Sequence, residues 1–305
     1  MQTETPRPAL FGAGGLPYPA IAALQQQPGF EAACREFTRG VVDLYQGNRL
    51  LNTLVSDRGR LLIGNLALYL HSGFDADDPR SGLTISRLKT LCAEQGICSG
   101  GRAEAIVAVM RLFGYLEAAP GAQDRRVRRL VPTERMIESY RKRWTVALAA
   151  IEHVLPEVKA AHDAMARDEF TSAMVCQFAE HFIGGVRLLN HSTDLMLFAE
   201  RNAGFLVMFS LLQGGGPDDA FASRQPLTVS ISALARRFGV SRVHVRKLLS
   251  DAAAQGFIAR PEGSEGPVIL LPKLITAAQN FLATAFLFVA YCARAALDEI
   301  DSGAD

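Results

Sequence analysis

An internal repeat is the feature that most constrains how this 305-residue chain can fold. Three short motifs recur in the same order: RLLN at Arg49–Asn52 and Arg187–Asn190, LTIS at Leu83–Ser86 against LTVS at Leu227–Ser230, and GYL at Gly114–Leu116 against GFI at Gly256–Ile258. The two RLLN motifs are each followed by an acidic-basic pair, and the offsets between paired motifs run from 138 to 144 residues. Motifs that recur in order at a nearly fixed spacing predict one unit of about 140 residues, present twice.

Both copies have the same predicted order of elements. A helical lead-in ends near residue 71 in the first copy and near residue 212 in the second, and a loop rich in Gly, Asp and Pro follows. A short β-prone LT(I/V)S, two helices joined by a tight turn and a β-hairpin come next. A long helix closes each unit, from Thr133 to about Val154 and from Leu274 to about Leu297. These patterns predict a mainly α chain.

The length of the chain exceeds that of an ordinary single domain, which favours two compact modules. We predict a flexible N-terminal arm over residues 1–28, a first unit over 29–165 and a second unit over 166–305. The arm has no basic region followed by an apolar run, so it does not resemble a secretory signal.

The second copy contains a helix-turn-helix pattern in the segment ISALARRFGVSRVHVRKLL, which spans Ile231–Leu249. Ala235 is the small residue expected where two helices cross, and Gly239 permits a left-handed turn. Val240 would fill the core, and Ser241 would cap the next helix. The pattern resembles the bacterial helix-turn-helix, with a hairpin wing after it.

The resemblance implies that the second helix of this motif reads DNA in the major groove. The base contacts that it implies are Arg242, Val243 and Lys247. The backbone contacts that it implies are Ser241, His244 and Arg246, and Arg236 in the preceding helix is also expected at DNA. The alternative is an Arg-rich helix face that is only solvated.

The first copy is a poorer match in the equivalent helix, which starts near Ser99. Gly100 and Gly101 weaken its first turn, and the carboxylate of Glu104 would be repelled by DNA phosphates. Arg102 is nevertheless a candidate DNA contact. Its wing carries a basic cluster suited to phosphates or the minor groove: Arg125, Arg126, Arg128 and Arg129. A solvated basic hairpin is the alternative. The wing of the second copy has the opposite character, because Glu262 and Glu265 at its tip would be repelled by phosphate.

Charge is distributed unevenly along a chain whose formal net charge is only +1. Residues 83–131 contain eight Lys or Arg against four Asp or Glu, and residues 227–273 contain seven against three, so each segment carries +4 and the rest of the chain carries −7. Positive charge is therefore concentrated in the two segments expected to face DNA.

Over nearly the whole repeat, the unit resembles the MarR-type transcriptional regulators, which dimerise through terminal helices. The resemblance implies two winged helix-turn-helix units with small hairpin wings, and a role in transcription regulation on double-stranded DNA. It also implies a small-molecule effector and a homodimer through the long helices as candidate partners. Two tandem copies could instead form an equivalent pair within one chain, with their long helices as a pseudo-dimeric core. Plasmid-type replication initiators and winged-helix modules for protein assembly are the alternatives.

Other functional classes lack their motifs. There is no HExxH, P-loop or GxSxG, and GAGG at residues 12–15 has no strand before it, so we predict neither an enzyme nor a cofactor. Five scattered cysteines without a CxxC pair argue against disulfides and zinc, and favour the cytoplasm. The apolar run from Leu274 to Ala293 is long enough for a membrane helix, but Gln279 and Asn280 favour a buried helical interface, so no membrane is expected.

Overall fold

The protein is described by a computed structural model over residues 18–47, 58–78, 80–120, 129–214, 221–261 and 266–302. It is mainly helical, with 69% helix, and two small antiparallel sheets of two strands each lie within the described ranges. The prediction of a mainly α chain is confirmed. The first RLLN motif lies outside these ranges, and the second forms a short 3-10 turn, Leu188–His191.

The first half of the chain has six helices and one hairpin within the described residues. In order they are α1 (Tyr18–Gln25), α2 (Phe30–Tyr45), α3 (Arg58–Ser72), α4 (Ile85–Glu94), α5 (Gly100–Leu112), β1 (Leu116–Ala118), β2 (Leu130–Pro132) and α6 (Glu134–Ile151). Strand β1 pairs with β2 so that Glu117 lies opposite Val131.

The second half repeats this order with small additions. Its elements are α7 (Lys159–Ala164), α8 (Asp168–Ile183), α9 (Met196–Ala199), α10 (Gly204–Leu212), α11 (Ile231–Phe238), α12 (Arg242–Ala254), β3 (Ile258–Ala259), β4 (Ile269–Leu270) and α13 (Pro272–Ser302), with 3-10 turns at Pro156–Val158, Leu188–His191 and Thr193–Leu195. Helices α2 and α8 both have 16 residues and begin 138 positions apart. The motif spacing in the sequence is therefore also the spacing of the helices.

The LT(I/V)S segments are shorter as strands than their composition indicates. Thr84 and Leu227 each make a single antiparallel bridge, to Arg129 and Val268 respectively. Helix α4 begins directly after Thr84, whose side chain accepts a hydrogen bond from the Arg87 backbone N–H. Ser230 caps α11 in the same way. Capping side chains start the helices here, so the β-prone residues cannot extend the ladder.

Helix α13 lies at the centre of the molecule and contacts both halves. The Phe286 ring packs against Phe30 and Phe37 of α2, with ring centroids 6.3 and 5.4 Å away. The Phe288 ring packs against Phe178 of α8 at 5.2 Å. Two positions along a helix are about 200° apart around its axis, so these rings point to opposite sides. One continuous hydrophobic core results, with buried residues from both halves.

The packing between the two halves is reciprocal. Helix α2 of the first half packs on α10 of the second, and α8 of the second half packs on α3 of the first. Within each half, α2 packs on α6 and α8 packs on α13. Because α2 matches α8 and α3 matches α10 in the repeated order, the same kind of contact is made twice, as in an isologous interface.

Two boundaries differ from those predicted. Residues 1–17 of the predicted arm lie outside the described ranges, but residues 18–25 form α1, whose Ile21 and Leu24 are buried, so this part of the arm was wrongly predicted to be flexible. Gln25 also donates a 2.8 Å hydrogen bond from Nε2 to Asn280 Oδ1 of α13. Helix α13 begins before its predicted start at Leu274, because Pro272 is compatible with the first turn of a helix, and it continues beyond Leu297 to Ser302.

The apolar composition of α13 also makes it a candidate for a membrane-spanning helix. Among the described residues, α13 is the one single helix that is both long enough and apolar enough to cross a membrane. Of its most apolar window, 61% is buried inside the protein. The bent pair Thr193–Ala199 and Gly204–Leu212, at 112°, passes the same test only if taken as one span. A buried core helix satisfies these criteria of length and composition equally well.

Replacement of Gly204 tests the tight packing at the start of α10. A Cβ at this buried position would overlap the backbone of Phe198, which cannot move without displacing α9. We expect Gly204→Ala to lower the free energy of unfolding by about 1–3 kcal/mol, as overpacked cores do. Urea unfolding monitored by circular dichroism measures the change.

Gly101→Ala is the matched control. No atom lies within 4 Å of a Cβ at this exposed helical position, so the replacement should be neutral or stabilising by up to about 1 kcal/mol. Equal stability of the two variants would contradict the packing at Gly204.

Candidate nucleic-acid interface

A tight turn joins α11 to α12. Gly239 ends α11 with a φ of +69°, a left-handed conformation that glycine adopts without a steric penalty. The Val240 N–H donates to the Ala235 carbonyl at 3.1 Å, and the Ser241 side chain then accepts a hydrogen bond from the His244 N–H at 3.1 Å. Two helices are thereby held at a fixed angle, with the N-terminus of α12 at the surface.

The exposed face of α12 carries three of the side chains predicted to contact DNA. Arg242 and Arg246 are exposed, and among the described residues neither makes an ion pair or a side-chain hydrogen bond. Val243 is also at the surface, where it is 70% exposed. On the opposite face, Val245 and Leu248 are fully buried.

A cleft separates this face from the exposed Arg236 of α11. Its volume is about 640 Å³, and its lining residues are Ser232, Ala235, Arg236, Gly239, Val240, Ser241 and Arg242. Arg236 and Arg242 therefore lie on the walls of the same cleft, on either side of the turn.

The remaining two predicted residues of α12 have partners within the protein. His244 donates from Nε2 to the Asn202 carbonyl at 2.8 Å, so this nitrogen anchors the helix. The Lys247 ammonium is 3.4 Å from Asp251 Oδ1, and Asp251 also accepts from Arg201 at 2.8 Å. Lys247 is still 64% exposed, so its charge remains at the surface.

Arg201, Asn202 and Asp251 are positioning residues that were not predicted from the sequence. Arg201 and Asn202 precede Ala203, whose φ of +54° turns the chain sharply into α10. Through His244 and Asp251 this corner is connected to α12 at two points along the helix. The only signal in the sequence was that Arg201 belongs to the acidic-basic pair after the second RLLN motif, and that a similar pair follows the first.

Helix α5 occupies the equivalent place in the first half but has a different surface. Ser99 and Ser241 are equivalent caps 142 positions apart, and the Ser99 side chain accepts from the Arg102 N–H at 3.4 Å. Glu104 is paired with Lys89 of α4 at 2.8 Å. Arg102 is exposed and lines a cleft of about 380 Å³ together with Gln95 and Arg187.

The first wing is described only in part. Arg129 lies at the start of β2, with its guanidinium 3.6 Å from the centre of the Phe74 ring, so it is stacked against the protein. Burial lowers the pKa of the neighbouring His71, and the charge of Arg129 lowers it further. The predicted contacts Arg125, Arg126 and Arg128 lie outside the described residues, as do Glu262 and Glu265 of the second wing.

A cavity of about 360 Å³ lies between α2 of the first half and α11 of the second. Arg39 and Asp43 line it from α2, and Arg237 lines it from α11. Arg237 is 3.5 Å from Asp43, and its carbonyl accepts a hydrogen bond from the Gly47 N–H at 3.1 Å. Burial lowers the pKa of Arg237, an effect that Asp43 opposes. The second helix-turn-helix segment is thus connected directly to the first half.

Other reactive side chains are dispersed. Within the described ranges, no group of three or more His, Cys, Asp or Glu is arranged to hold a metal ion. His153 contacts Glu36 at 2.5 Å, and His162 contacts Glu152 at 3.1 Å. All five cysteines are free thiols.

No protein-family model matches this chain, and no curated protein or solved structure is significantly similar to it.

Replacement of Ser241 tests the cap that starts α12. Ser241→Ala removes the acceptor for the His244 N–H, and we expect a loss of about 1 kcal/mol in the free energy of unfolding. Ser241→Asp retains an acceptor and should keep most of the stability. Chemical denaturation of the three proteins provides the measurement.

Ser250→Ala is the control for this experiment, because Ser250 is exposed on the same helix and should change stability by less than about 0.5 kcal/mol. A Ser241→Ala protein as stable as Ser250→Ala would show that the cap contributes nothing.

Proposed function

We propose that this protein is a cytoplasmic DNA-binding transcriptional regulator built from two winged helix-turn-helix units of the MarR type. The order of helix, tight turn, helix, hairpin and long helix in both halves supports this proposal. The hairpins β1–β2 and β3–β4 are the wings, and α12 is the helix that reads sequence.

The observation that carries the proposal is the surface of α12. Arg242 and Arg246 project from the first two turns of a capped helix, and no acidic partner among the described residues neutralises them. An exposed arginine can donate two hydrogen bonds to a guanine edge, and an exposed apolar side chain such as Val243 can contact a thymine methyl group.

The reciprocal packing of the two halves supports the second part of the proposal. Regulators of this type bind DNA as twofold dimers. Here α13 is covered by helices of its own chain, α1 and α6 from the first half and α7 and α8 from the second. We propose that the pairing is made within one chain. The cavity beside Arg237 is the candidate site for a small-molecule effector.

Two arginine variants test the function by fluorescence anisotropy on duplex DNA. Arg242→Ala should weaken binding to a preferred site by about 1–3 kcal/mol, because a base contact is lost, with a smaller effect on random duplex. Arg246→Ala should weaken binding to both and lower the slope of log K against log salt by about one, because a phosphate contact is lost.

Arg294→Ala is the matched control. This arginine is 66% exposed on α13, about 33 Å along the helix axis from Pro272, and its ion pair with Glu157 is long at 3.9 Å. The Arg294→Ala protein should bind DNA with the same affinity as the unmodified protein. Absence of salt-dependent binding to any duplex would contradict a DNA function and favour a protein-assembly module.

A further inference from the structure

The two helix-turn-helix segments offer unequal surfaces to DNA although they occupy equivalent places in the fold. The offset of 142 between Ser99 and Ser241 also relates the residues that follow these two caps. It aligns Gly100 with Arg242, Gly101 with Val243, Glu104 with Arg246 and Ala105 with Lys247. Each of the four α12 residues therefore has a glycine, an alanine or an acid as its equivalent in α5.

These replacements take the base-contacting side chains from α5 and leave Arg102, which aligns with His244, a predicted backbone contact. Glycine and alanine side chains have no hydrogen-bond donor, so they cannot make the bidentate contacts that distinguish bases. Glu104 could accept from cytosine, but its carboxylate is held by Lys89 at 2.8 Å. The formal charge from Gly100 to Ala105 is zero, because Arg102 and Glu104 cancel, whereas from Arg242 to Lys247 it is +3.

We infer that the DNA target is asymmetric, with one sequence-specific half-site read by α12 and a neighbouring segment bound by the first half without sequence preference. This inference rests on the proposed DNA-binding function. In a homodimer two identical reading helices select an inverted repeat. Here the reciprocal packing places two different helices where a dimer would have identical ones, so the selected DNA has no reason to be palindromic.

Selection from random-sequence duplexes long enough for two half-sites, performed with the full chain, tests this inference. The expected result is a single conserved block without an inverted partner, inside a longer protected region in a nuclease footprint. Scrambling the conserved block should lower affinity at least tenfold, since several mismatched bases are involved, while scrambling the rest of the protected region should change it less than about twofold.

A graft of the α12 face onto α5 provides the second arm. The variant G100R/G101V/E104R/A105K should bind an inverted repeat of the selected block at least tenfold more tightly than the single block, whereas the unmodified protein should bind the two equally within about twofold. Arg294→Ala serves again as the control, and circular dichroism confirms that the graft is folded.

The outcomes separate the inference from the function on which it rests. An inverted repeat selected by the unmodified protein would overturn the inference and leave the DNA-binding function standing. Binding without any sequence preference would overturn it as well, because α12 would then not read bases. Failure to retain any duplex at low salt would overturn the proposed function, and the inference with it.

Discussion

Burial of α13 is the constraint on which the rest of the structure depends. This helix has apolar side chains around most of its circumference, and a helix of that kind must be covered on all sides. Neither half could cover it alone, because Phe286 contacts α2 of the first half and Phe288 contacts α8 of the second. The packing of this helix, together with the α2–α10 and α3–α8 contacts, therefore fixes the relative position of the two halves.

Much of the secondary structure could be predicted because its signals are local. Ser241 and Gly239 are recognisable from sequence, since a cap and a left-handed turn each depend on a single residue type. The partners of α13 could not be predicted, because an apolar helix carries no information about which surface will cover it. Helix α1 was missed for the same reason: Ile21 and Leu24 become buried only against helices distant in sequence.

The candidate site also has some features that follow from local sequence and others that depend on the tertiary fold. Helical periodicity alone places Arg242, Val243 and Arg246 on one face and Val245 on the other. It cannot show that His244 donates to Asn202, or that Arg129 is stacked on Phe74. Those partners lie 42 and 55 residues away in the chain, and only the tertiary fold brings them into contact. Charge counts along the sequence therefore overestimate how many basic side chains are free.

The joining of both copies in one chain has a consequence for how such a surface can change over time. In a homodimer, every mutation in the gene alters both subunits, so a helix can acquire a new side chain only if two symmetry-related positions tolerate it. In this chain the codon for Gly100 and the codon for Arg242 mutate separately. One helix could thus lose its long side chains while natural selection maintained those of the other. An unequal pair of helices is therefore open to a single chain, whereas a homodimer has two identical ones.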